Sequence, residues 1–84
     1  MYEKIIRNYI YKMSVEDIKN FALKRNIELT TEESILIFKF LKNNYEELLR
    51  GNTDVFEQIR PYIRGDVYQY GYHLYQDLYT KYLK

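Results

Sequence analysis

Residues 30–51 read TTEESILIFKFLKNNYEELLRG. Thr30, followed three residues later by Glu33, has the spacing of a capping box, in which hydroxyl and carboxylate each take up a backbone N–H of the first turn. Glu32 and Glu33 also suit the positive end of a helix dipole. Behind them Ile35, Leu36, Phe38 and Leu41 recur at helical spacing, and Ile37 and Phe40 widen the stripe. A helix apolar around so much of its circumference belongs at the centre of a bundle. Asn43 and Asn44 leave two readings open, one bent helix or two short ones. Tyr45, Leu48 and Leu49 then continue the face, and Gly51 ends it.

The flanking segments carry the same period. Tyr2, Ile5, Ile6, Tyr9, Ile10 and Met13 form the stripe of a first amphipathic helix, roughly 2–12. Ser14 with Asp17 is a shorter-armed capping box that opens a second helix, about 15–25, with Val15, Ile18, Phe21 and Ala22 on one face. Asn26 suits a left-handed residue just past its end, with Ile27 packing back. After Gly51, Asp54 and Glu57 have capping spacing, and Val55, Phe56, Ile59 and Ile63 predict a fourth helix over about 55–60, which Pro61 ends. Asp66 is placed to cap a fifth helix, about 67–83. No stretch alternates with period two, so no sheet is expected. The fold class is therefore all-α: residues 1–84 form one compact bundle of four to five short helices. The expected core is Ile6, Ile10, Ile18, Phe21, Leu36, Phe40, Leu41, Leu48, Phe56, Ile59, Leu74 and Leu78.

Composition narrows the chemistry. The 84 residues contain no cysteine and one histidine, His73, so thiolate sites, disulfides and two-histidine metal motifs are excluded. Three glycines form no phosphate-cradling loop. No apolar run approaches the ~20 residues of a membrane span, and the N-terminus lacks the apolar stretch of a signal peptide. A cytoplasmic location is the default expectation. Thirteen basic and twelve acidic residues give a net charge of +1, too little for a polyanion footprint. Tyrosine is abundant at 11 residues, and part of that excess follows from a codon bias toward Lys, Asn, Ile, Tyr and Phe.

The stretch SVEDIKNFALKRNIELTTEE, followed by FLKNNYEELLRGN, resembles a family of small all-helical bacterial proteins of unknown function. The likeness covers about residues 14–60: a short helix, an Asn-Ile-x-Leu-Thr turn and a longer helix ending near Gly-Asn. It implies an all-helical fold. No activity or functional residue comes with it, and residues 61–84 lie outside the match.

Tyr68, Tyr72, Tyr75, Tyr79 and Tyr82 stand at spacings 4, 3, 4 and 3, within about 40° of one line on the fifth helix. An aliphatic stripe, Val67, Gly71, Leu74 and Leu78, lies roughly 90° round from it. Tyrosine suits interfaces because it brings large area, two rotatable angles and a polar tip. The plainer alternative is that the rings border the chain's own core with wet hydroxyls. The expected function is thus a small protein-interaction module working through this tyrosine-rich face, with another protein or a second copy, as in a dimer, as partner. The alternative is a nucleic-acid-associated accessory protein using helices two and three, with Lys19, Lys24, Arg25, Lys39 and Lys42 near phosphates. Against that stand Glu32 and Glu33, which would face a polyanion from the turn that a recognition helix presents. His73 with Asp77, the Glu32-Glu33 and Glu46-Glu47 pairs, and Arg60 with Arg64 assemble no catalytic, metal or anion site. No enzyme activity, cofactor or small-molecule substrate is expected.

Overall fold

The computed structural model describes residues 2–83. Four α-helices follow one another: α1 (Tyr2–Lys12), α2 (Val15–Leu23), α3 (Thr31–Leu49) and α4 (Gly65–Leu78). Two 3₁₀ turns, Thr53–Gln58 and Arg60–Tyr62, join α3 to α4, and a π turn, Tyr79–Leu83, continues α4. The architecture is all-α, with no strand among the described residues. Within those residues no helix is long and apolar enough to cross a membrane.

The helix ends are set by local chemistry. At α2, Ser14 Oγ accepts the Asp17 N–H at 3.1 Å while Asp17 accepts the Ser14 N–H at 2.9 Å. Thr30 and Glu33 make the same reciprocal pair at α3, both at 3.0 Å. Asn26 takes φ 62° after α2, and the Ile27 N–H returns to the Ala22 carbonyl at 2.9 Å, closing the helix with a left-handed residue. Gly51 does the same for α3 at φ 84°. A Cβ at Gly51 would also lie 2.7 Å from the Tyr79 hydroxyl oxygen, so only glycine fits this turn.

α3 is one continuous helix. Asn44, one of the two residues expected to interrupt it, is buried, and its amide donates to the Phe40 carbonyl and to Gln58 Oε1, both at 3.0 Å. The side chain thus ties the first 3₁₀ turn to the central helix while its other hydrogen bond stays within α3. The expected fourth helix is a correction: residues 53–58 form a 3₁₀ turn. Asn52 caps it, accepting the Asp54 N–H at 3.1 Å, in place of Asp54. The window between that cap and Pro61 is too short for α-helix to propagate. The fifth helix begins at Gly65, with Arg64 in the cap position, and Asp66 accepts only its neighbour's N–H, from Val67 at 2.9 Å.

Phe40, Leu48, Val55, Phe56 and Ile59 form the buried cluster, flanked by Leu36, Ile37, Leu41, Ile63, Tyr68, Tyr72 and Tyr75. Ile18 and Ala22 bury α2. Of the expected core, Ile6, Ile10, Leu36, Leu41 and Leu74 are only half-buried, and two positions are corrected. Phe21 and Leu78 are exposed: Phe21 lies beneath the Arg25 guanidinium 3.6 Å away, and α4 turns Val67, Tyr68, Tyr72 and Tyr75 toward the body, which leaves Leu78 outside.

Candidate protein-interaction surface

The five tyrosines are placed unequally. Tyr68, Tyr72 and Tyr75 surround Phe56, with ring centroids 6.2, 5.0 and 5.3 Å from it. The Tyr75 hydroxyl donates to the Leu48 carbonyl at the end of α3. Burial, with Tyr79 and Tyr72 nearby, pushes the Tyr75 phenol above its ordinary value. Tyr79 lies tilted against Tyr75 at 5.9 Å and lays its hydroxyl over Gly51. These four are half-buried, so their rings act as spacers between α4 and the body. Tyr82 is exposed and sits edge-on against Tyr2 of α1, 5.0 Å away.

That pair leads to the surface that sequence reasoning missed. α1 buries none of its residues. Ile6 and Ile10 are half-buried on the side that lies along α3, while Ile5 is 62% exposed, Tyr9 60% and Tyr2 45%. Polar contacts also hold the helix. Lys42 donates to the Ile10 carbonyl and, at 2.7 Å, to the Tyr11 carbonyl, taking up two C-terminal acceptors of α1. Arg7 pairs with Glu46 at 3.2 Å. An open groove of about 300 Å³ runs beside the exposed side chains, lined by Ile5, Asn8, Tyr9, Lys12, Met13 and Asp17. The signal was present in the sequence: the apolar arc of α1 is wider than α3 and the π turn at the end of α4 cover.

The other candidates are dispersed or occupied. Lys19 donates to Thr31 Oγ1 at 3.2 Å, Arg25 to the Phe21 carbonyl at 3.2 Å, and Lys42 to α1. Three of the five cations read as phosphate contacts are thereby engaged within the chain. His73 is exposed and edge-on to Tyr72. Among the described residues no three His, Asp or Glu side chains converge as metal ligands.

Arg64, considered as an anion contact, is committed to Glu33. Its Nε and an η nitrogen reach the two carboxylate oxygens at 2.8 and 3.0 Å, and the second also donates to the Glu28 carbonyl at 2.8 Å. This fork fastens the start of α4 to the α2–α3 turn. The guanidinium holds the Glu33 carboxyl below its ordinary value of 4.5, and the Thr30 N–H adds to that effect. A carboxyl depressed in the native state stabilises the fold above its unfolded pKa and loses that contribution as pH falls through the native value. Glu33→Gln is therefore expected to lower stability at pH 7, with the deficit shrinking below about pH 4. Urea melts of both proteins across that range check this; a deficit that stays constant with pH contradicts it.

No protein-family model matches this chain, and no curated protein or solved structure matches it.

Proposed function

We propose that this chain is a small non-enzymatic protein-interaction module that works through an apolar, tyrosine-rich helical face. The observation that carries the reading is the outer side of α1, where Tyr2, Ile5 and Tyr9 stand exposed and Tyr82 extends the patch. Two aliphatic and aromatic side chains of one helix, each more than half open to water, cost solvation free energy in a monomer, and a partner surface would recover it. Tyr68, Tyr72, Tyr75 and Tyr79 support the same face indirectly, since they join α4 to the body and so set where Tyr82 lies. A nucleic-acid role finds less support, because Lys19, Arg25 and Lys42 are engaged within the chain and Glu32 opens α3 beside Glu33.

Photo-crosslinking inside the native cell tests this. A benzophenone side chain at Tyr9 is expected to form protein adducts, and the same group at Tyr62, which is 69% exposed elsewhere, is not. The adducts should vanish when Ile5→Lys is added. Equal labelling from both positions, or none from Tyr9, contradicts the reading.

A further inference from the structure

We propose that α1 is a strap that opens from α3 as one unit, about the Met13–Ser14 joint, while the rest of the fold stays closed. Among the described residues α1 is the one α-helix that buries no side chain. The buried cluster and the side chains that flank it all lie between residues 36 and 75. α2 buries Ile18 and Ala22, and its first turn is closed by Ser14 and Asp17, both outside α1. Release of α1 therefore leaves the core and the start of α2 complete. Regions with few buried contacts are those that open below the global unfolding limit.

The helix does little to hold itself together. Seven of its eleven residues are Ile, Tyr or Asn, weaker helix formers than Ala, Leu, Lys or Glu. An isolated helix of this length is marginal in water even when built from the best formers. Away from α3 the segment returns to coil, so opening and unfolding of residues 2–12 are one event. That event bares the side of α3 along which Ile6 and Ile10 lie, and it separates Tyr2 from Tyr82.

Lys42 sets how often the strap opens. Its ammonium stands 5.9 Å from the Tyr11 ring and 5.3 Å from the Phe38 ring, and it donates to the Ile10 and Tyr11 carbonyls. These are acceptors that a helix C-terminus leaves without partners, and a cation there also meets the negative end of the dipole. The Arg7–Glu46 pair is weaker, because its side chains are 45% and 41% exposed. A charged donor that serves two carbonyls outweighs an ion pair so open to water.

Native-state hydrogen exchange at rising, sub-denaturing urea tests the proposal on the chain alone. The amides of residues 6–12 are expected to exchange roughly a hundredfold faster than those of Ala22, Phe40 and Leu48, with little dependence on urea. Lys42→Met keeps the length of the stem and removes the charge. It should speed exchange in residues 6–12 by roughly tenfold or more and leave Phe40 and Leu48 within about twofold of wild type. Residues 6–12 that share the slow rates and steep urea dependence of Phe40 and Leu48 overturn the proposal, and so does Ala22 opening together with α1. Acceleration by Lys42→Met that is equal throughout, or absent, overturns it as well. The wild-type measurement decides even where the variant fails to fold. No partner is present, so failure here leaves Tyr9 adducts to be explained by the interaction reading, and absence of adducts leaves the strap standing.

Discussion

Phe56→Ala is expected to destabilise the fold by about 3–5 kcal/mol. Phe56 is 8% exposed and meets four rings, with Phe40 at 5.3 Å and Tyr68, Tyr72 and Tyr75 around it. It comes from a 3₁₀ turn anchored by Asn44, so the surrounding rings belong to α3 and α4 and cannot close the gap by a small shift of one element. A domain of this size has roughly 5–15 kcal/mol of stability in total, so the loss would bring it near unfolding. Urea denaturation with the wild-type slope measures it. Phe21→Ala is the control. That ring is 38% exposed under Arg25, and its loss should cost about 1 kcal/mol or less. Comparable losses at the two positions would mean that Phe56 is not the centre of the core.

Tyr75→Ala is expected to cost about 2–3 kcal/mol, somewhat less than a fully buried aromatic because its ring is half-buried. Two contributions are separable. Tyr75→Phe keeps the ring against Phe56 and removes only the hydroxyl that donates to Leu48, a loss of about 1 kcal/mol. The remainder belongs to the ring. Tyr75→Phe, which keeps the ring in place, should leave association through α1 unaltered. If Tyr75→Ala instead abolished association and left stability unchanged, the stripe on α4 would be the docking face, and α1 would not.

These outcomes also mark where sequence was a sufficient guide. Ser14 with Asp17, Thr30 with Glu33, and Asn26 in the left-handed turn were legible because each involves partners three to five residues apart. The central place of α3 was legible from the width of its apolar stripe. The side of α4 that faces inward is legible only in part: the tyrosine rings read as a border of the chain's own core, which holds for Tyr68, Tyr72 and Tyr75, but Leu78 was expected there as well. Two stripes ran along that helix, and hydrophobicity favoured Leu74 and Leu78. The selection was made by Phe56, a residue from a distant turn whose ring is matched by tyrosine rings. The Arg64–Glu33 fork spans 31 positions, and Glu33 already had a complete local role in its capping box. α1 misled differently. Its stripe predicts a buried face, which Ile6 and Ile10 supply in part, but Tyr2, Ile5 and Tyr9 stay exposed beside α3 and the π turn. Asn43 and Asn44 leave one bent helix and two short ones open from sequence, because the partner that fixes the Asn44 amide, Gln58, lies fourteen residues on.

The exposed apolar side chains of α1 form the uncovered apolar surface of this chain. Backbone amide shifts followed by NMR as the protein captured through Tyr9 is added show directly whether it is the docking face. The expected result is that shifts change along residues 2–12 and near Tyr82, while Tyr68, Tyr72 and Tyr75 stay fixed. Changes centred on those three tyrosines, with α1 silent, would contradict it.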